Sequence, residues 1–222
     1  FFDKINTAKN EQTETWFKGL DRIYNNFVYD FLYPNPASVL AFIENHDTDR
    51  FLGEGNNLPM LKQASTLLLT TRRIPQLYYG TEVMVNGVKS KSDGYVRKDF
   101  PGGWTGDATN ALTPAGRTKI QNECYDFYKT ILNWRKGNDV IAKGSMTQFM
   151  VQNGVYAYAR QYEGKIVFVM LNGTDSETTV PLKFYKEILK DKKKGKDILS
   201  GKTILFEKEL KMEARESLII EL

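Results

Sequence analysis

The single histidine of the chain, His46, stands in the run Phe42-Ile43-Glu44-Asn45-His46-Asp47-Thr48-Asp49-Arg50. An imidazole beside a carboxylate suits two kinds of chemistry. It can take up a proton near neutral pH, or it can donate a hydrogen bond to a polar substrate while the carboxylate accepts others. The apolar stretch Val39-Leu40-Ala41-Phe42-Ile43 comes just before and is short enough for a buried strand. Polar groups gathered at the carboxyl end of a buried strand are where α/β proteins place their chemistry. A His-Asp pair at a strand end is also a common structural device, and the spacing alone leaves both readings open.

Other chemistries find less support. The lone Cys124 excludes an internal disulfide and any cysteine-based metal cluster. It lies on the apolar face of a helical pattern and is read as a small buried hydrophobe. The net charge of +4 is spread along the chain. Its densest basic run, Lys190-Asp191-Lys192-Lys193-Lys194-Gly195-Lys196, has no aromatic interleaving and is flanked by strand-like segments. We read it as a solvated hairpin loop in preference to a nucleic-acid patch. Apolar content of 41% and charged content of 26% are ordinary for a globular protein. The 12 Tyr and 13 Phe supply core volume and flat faces for stacking on sugars or bases. No stretch approaches the ~20 apolar residues of a membrane span. No signal peptide is visible, and the start Phe1-Phe2-Asp3 suggests chain upstream that carries any targeting signal.

The elements that must position His46 follow from periodicity. Trp16, Phe17, Leu20, Ile23, Tyr24, Phe27, Val28, Phe31 and Leu32 recur at helical steps, predicting a helix over 13–32 with Thr13 as N-cap and Pro34 and Pro36 beyond its end. After the strand at 39–43, Asn57-Leu58-Pro59 opens a second helix, with Leu61, Ala64, Leu67 and Leu68 on one face. A second buried strand, Ile74–Tyr79, ends at Gly80. Residues 81–116 read as a long irregular segment, a length that in compact domains points to function or disorder. A third helix is expected from about Thr118 to Lys136, with Gly137 at its C′ position. The period then changes to two. Strands are expected near 146–151, 155–160, 166–171, 178–181, 197–199, 203–210 and 217–221, with Glu163-Gly164-Lys165 as a hairpin turn. Short strands at close spacing predict an antiparallel sandwich.

Two parallel strands are too few for a closed α/β domain, because both edges and much helix surface stay uncovered. An eight-fold barrel takes about 250 residues, or roughly 30 per strand-helix unit. Residues 1–137 therefore supply about the last two strands and three helices of a (β/α)8 TIM barrel, and 138–222 a C-terminal β-sandwich domain. The fold class is α/β plus all-β. The competing reading is a complete small α+β protein.

Four motifs now carry a resemblance. Phe42-Ile43-Glu44-Asn45-His46-Asp47 resembles the last catalytic motif of the α-amylase family, glycoside hydrolase family 13. Ile74-Pro75-Gln76-Leu77-Tyr78-Tyr79-Gly80-Thr81-Glu82 resembles that family's eighth barrel strand, with Arg73 in place of the usual glycine. Asp93-Gly94-Tyr95-Val96-Arg97 falls where the family often has an Asp and an Arg four residues apart. Phe100-Pro101-Gly102-Gly103-Trp104 resembles the neopullulanase and cyclomaltodextrinase branch, with a Gly-Gly insertion. Order and spacing of the motifs match over essentially the whole chain.

The resemblance implies a retaining α-glucan hydrolase acting on α-1,4 bonds of starch-derived oligosaccharides or cyclodextrins. Asp47 is then the third carboxylate, gripping sugar hydroxyls next to the broken bond, with His46 donating to the same sugar. Asp93 and Arg97 would contact the next sugar, and a surface ion pair explains them equally well. Asp49 and Arg50 are read either as groups at the cleft rim or as solvated loop charges. Tyr78, Tyr79 and Glu82 would form wall and floor. Trp104 either stacks on sugar or is buried as a loop anchor, with burial favoured. The family's nucleophile and general acid have no counterpart here, so the resemblance places them upstream and implies that this chain alone is inactive. The implied partners are an α-glucan substrate and the N-terminal remainder of the same protein, with self-association expected where strand edges are bare. No cofactor, metal, nucleic acid or membrane span is implied. The compartment is not readable, although family analogy favours the periplasm. The rival functions are a non-catalytic sugar-binding or regulatory paralogue, and an unrelated module whose sandwich binds a partner.

Overall fold

The computed structural model describes residues 1–13 and 17–222. In chain order the helices are α1 (Phe2–Ala8), α2 (Asp21–Val28), α3 (Leu58–Thr70), α4 (Asp93–Val96), α5 (Lys119–Arg135), α6 (Asp139–Lys143) and α7 (Lys186–Leu189). The strands are β1 (Leu40–Ala41), β2 (Ile74–Pro75), β3 (Ser145–Gln152), β4 (Val155–Tyr162), β5 (Lys165–Asn172), β6 (Thr178–Pro181), β7 (Lys194–Asp197), β8 (Thr203–Leu205), β9 (Glu209–Met212) and β10 (Ser217–Glu221). No described helix is long and apolar enough to cross a membrane.

The two expected buried strands are short, and they pair parallel with Leu40 opposite Ile74 and Ala41 opposite Pro75. Ala41 and Ile43 are buried against the helices, whereas Leu40 and Ile74 are exposed. The other strands form an antiparallel sheet in the order β3-β4-β5-β10-β7-β8 and a two-stranded sheet, β6-β9. Strands β4, β5 and β10 are apolar on both faces because both faces are covered. Tyr156, Tyr158, Val167, Val169, Leu171 and Ile219 join the core made by the helices. Val155, Ala157, Phe168, Met170 and Ile220 join a second core, with Val180, Tyr185 and Met212 of the smaller sheet and its approach. The six-stranded sheet is thus a middle layer, and the apolar core runs without a break from the helices into it.

Helix α5 begins with a full capping box. The Thr118 side chain accepts from the Gln121 N–H, and the Gln121 side chain accepts from Thr118 N–H. Asn57 caps α3 by accepting from Met60 N–H. Gly137 follows α5 at a φ of 76°, as its C′ assignment requires.

Several sequence expectations need correction. Of the helix expected over 13–32, the described residues form only α2 and a following 3-10 turn, Tyr29–Leu32. The backbone passes through left-handed geometry at Phe17 and Gly19. Thr13 caps no helix: its buried hydroxyl accepts from Leu20 N–H, and its own N–H donates to the Gly173 carbonyl. Packing against the end of β5 decides this. A side chain at Gly173 or Gly19 would collide with Thr13. Trp16 lies outside the described residues. Helices α1 and α6 were not anticipated. The basic run is only partly a loop, since Lys194–Asp197 is strand β7, paired with β10 and β8. Buried Asp197 fixes it by accepting from Ile219 N–H and from the N–H and hydroxyl of Ser200. The single strand expected over 203–210 is two. The chain leaves one sheet for the other at buried Phe206, which enters the second core.

Candidate functional site

The site lies just beyond the carboxyl ends of β1 and β2. Asn45 shapes the turn that presents His46 and Asp47. Its side-chain oxygen accepts from Asp47 N–H at 2.8 Å, and its own N–H donates to the Thr48 hydroxyl at 3.0 Å. His46 and Asp47 project outward from this turn, with the Asp47 side chain 58% exposed. Their side chains meet, Nε2 of His46 to Oδ2 of Asp47, at 3.1 Å.

Arg97, from the end of α4, ties the sequence-selected residues together. Its Nη2 reaches Oδ1 of Asp47 at 2.9 Å and Oδ2 of Asp93 at 3.3 Å. Its Nε donates to the His46 carbonyl at 2.8 Å. All four residues chosen from sequence, His46, Asp47, Asp93 and Arg97, therefore stand in one cluster.

The support beneath the turn was only partly foreseen. Arg50 is fully buried, against both readings offered for it, rim contact and solvated charge. Its Nη1 pairs with Glu44 at 3.3 Å and donates to the Tyr79 carbonyl at 2.8 Å, and its Nε donates to the Val96 carbonyl at 2.9 Å. It thereby joins the turn, the end of β2 and α4. The guanidinium also stacks on Tyr78, 4.0 Å from the ring centre. Glu44 is buried and also accepts from Phe51 N–H and the Thr81 hydroxyl. Burial pushes its pKa up, and those hydrogen bonds and Arg50 pull it back.

Asp49 is exposed and accepts from Lys89 N–H at 2.6 Å. Lys89 was missed. Its ammonium donates to the Asp47 carbonyl at 3.1 Å and lies 3.6 Å from Asp93. Nothing in a Gly- and Lys-rich loop sequence singles it out. The Tyr78 ring lies 6.5 Å from that of His46. Gly80 makes the turn after β2 at a φ of 82°, where a side chain would strike Val85. Trp104, expected to be buried, is 71% exposed, because the glycines before it turn its loop outward. Arg73, the departure from the usual glycine, is buried and binds Asp30 beside Phe27. Among the described residues, no group of three or more His, Cys, Asp or Glu side chains converges as metal ligands would.

The arrangement sets an exposed carboxylate and an imidazole side by side above a buried ion pair. Residues 146–221 match the family described as the cyclo-malto-dextrinase C-terminal domain. A cyclomaltodextrin glucanotransferase of Thermoanaerobacterium thermosulfurigenes is 29% identical over 197 residues, covering 85% of this chain and 25% of that protein. An alpha-amylase of Niallia circulans is 28% identical over 209 residues, covering 90% of this chain and 36% of that protein. The chain thus spans about a quarter to a third of the length of these relatives. The crystal structure of an alpha-amylase from Geobacillus thermoleovorans, complexed with acarbose, superposes with a TM-score of 0.76 over 99% of this chain and 46% of its own, at 21% identity. Along most of its length the chain is thus similar to cyclomaltodextrin glucanotransferases and alpha-amylases. Its sheet-rich second half matches the C-terminal region of these enzymes.

Proposed function

We propose that this chain is the C-terminal part of a retaining α-glucan hydrolase of the neopullulanase or cyclomaltodextrinase type, and that it carries the third carboxylate of the active site. On this reading residues 1–137 complete a (β/α)8 barrel and 138–222 form its C-terminal β-domain. The exposed Leu40 and Ile74 then face barrel strands contributed by other chain.

The observation that carries the reading is the Arg97 bridge. It holds Asp47 and the backbone of His46 on one ledge at the ends of two parallel strands. A retaining glycosidase uses one carboxylate as nucleophile and a second as acid and base. Asp47 accepts hydrogen bonds from sugar hydroxyls beside the reacting carbon, and His46 donates to the same ring. These bonds favour the distorted ring of the oxocarbenium-like transition state over the relaxed substrate, which lowers the barrier. Asp93 and Arg97 address the neighbouring sugar. The nucleophile and acid come from outside these 222 residues, where no Arg-x-Asp follows a buried strand ahead of β1.

The test is reducing-sugar release from cyclodextrin and pullulan. The full-length enzyme should turn over, its Asp47→Asn variant should lose at least about 10³-fold in kcat, and the 222-residue chain alone should release nothing. Activity retained in Asp47→Asn would overturn the assignment. A full-length protein that binds maltooligosaccharides without turnover would identify a sugar-binding paralogue instead.

A further inference from the structure

A second charged cleft lies at the opposite, amino-terminal end of β1 and β2. It has a volume of about 590 Å³, and its walls carry Arg72, Arg73, Arg135, Lys143 and Arg160 without a single carboxylate. That volume lies within the range of about 300–1,000 Å³ common for small-molecule sites.

The charge is incompletely matched. Buried Asp30 serves both Arg72 and Arg73. Lys143 pairs with Asp139 at 3.1 Å on the exposed side of α6. Among the described residues, Arg135 and Arg160 have no acidic partner. Arg160 is 1% exposed. Its Nε and both terminal nitrogens donate to the carbonyls of Ser145, Thr70, Ile141 and Gly144. Those four bonds leave one of its five N–H groups free. The half-buried Arg135 donates through Nε to the Leu69 carbonyl at 2.9 Å. Its terminal nitrogens have no partner among the described residues.

Carbonyls take four of the Arg160 N–H groups and the Arg135 Nε–H, but they supply only partial negative charge. Five cations with two carboxylates leave three positive charges around one concavity. Unmatched charge in a partly desolvated site is costly, and a bound anion relieves it. Burial first, and then the like charges of Arg72 and Arg135, lower the Arg160 pKa to about 10.

We propose that this cleft binds the oxyanion of phosphate, free or carried on a small organic molecule, through Arg135, Arg160 and Lys143. The planar fork of Arg135 matches two phosphate oxygens, Arg160 adds its one remaining N–H, and Lys143 adds a mobile point charge at the mouth. The site is separate from Asp47, at the other end of the same strand pair, and does not rest on the glycosidase reading.

The experiment is calorimetric titration of the full-length protein with inorganic phosphate and, separately, with a hexose phosphate, at fixed ionic strength. One-to-one binding is expected. Arg135→Gln and Lys143→Gln should each weaken it at least fivefold, with thermal midpoints showing that both variants fold. Lys129→Gln, which removes an exposed charge elsewhere on α5, should leave it unchanged. Equal affinity for both probes would assign the free ion, and tighter hexose phosphate binding an organic phosphate. No binding of either probe would overturn the proposal, as would equal losses in Lys129→Gln and Arg135→Gln, since diffuse charge would then account for the effect.

Discussion

The guanidinium of Arg50 lies 4.0 Å from the centre of the Tyr78 ring, with Glu44 on its edge at 3.3 Å. An ion pair and an aromatic face, both from the ends of the paired strands, thus clamp the turn that carries His46 and Asp47. The exposed residues keep their geometry because the charged residues beneath them are dry.

Removing one half of that buried pair should be expensive. Glu44→Ala leaves Arg50 charged and unmatched, and strips acceptors from Phe51 N–H and Thr81. A loss of about 3–5 kcal/mol is expected. Urea unfolding followed by tryptophan fluorescence measures it, and a loss below about 1 kcal/mol would show that Arg50 does not depend on Glu44.

Arg97→Ala should act on positioning and not on folding. Its partners Asp47 and Asp93 are exposed, so their ion pairs contribute at most about 1 kcal/mol to stability. In the full-length enzyme the loss should appear in kcat/KM, by ~10-fold or more, with an unfolding midpoint close to that of the parent. Lys should rescue only in part, because it cannot span Asp47 and the His46 carbonyl together.

Acid sensitivity should trace in part to Glu11. Hydrogen bonds from Arg22 and from Gly19 N–H hold its pKa at about 2, below an ordinary value of 4.5. A carboxyl depressed in the folded state adds stability above its unfolded pKa and loses it as pH falls through the folded one. The unfolding midpoint should therefore drop between about pH 4.5 and 2, and Glu11→Gln should flatten that part of the curve.

Cys124 should be inert. Burial pushes its thiol up to about 12, so the reactive thiolate is scarce at neutral pH. A disulfide reagent should label the native chain at least about 10²-fold more slowly than the urea-unfolded chain. Fast labelling would show that α5 opens readily.

The isolated chain should self-associate. Phe31, Leu32, Leu40, Ile74 and Leu77 are exposed around the paired strands, and apolar surface of this kind draws a partner. Sedimentation velocity should show mass rising with concentration, and Leu40→Lys should reduce it. A clean monomer at high concentration would count against this.

Local chemistry made much of this protein legible from sequence. The capping box of α5, Gly137 beyond its end and the Glu163-Gly164 hairpin need only neighbouring residues. The burst of polar residues after an apolar run drew attention to His46 and Asp47, whereas Asp93 and Arg97 came only from the resemblance to a known family. Tertiary structure decided what depends on a distant surface. It let α2 begin only after Leu20, whose N–H donates to the Thr13 hydroxyl while Thr13 meets Gly173. It drew Lys194–Asp197 into a sheet, because β10 offered an unpaired edge. It buried Arg50, whose partners Glu44, Tyr79 and Val96 come from three segments, while turning Trp104 out to solvent. It also gathered Arg72, Arg135 and Arg160 around one cleft. Sequence sets what a residue prefers within a few positions; which charges are desolvated together is settled only when remote segments close over them.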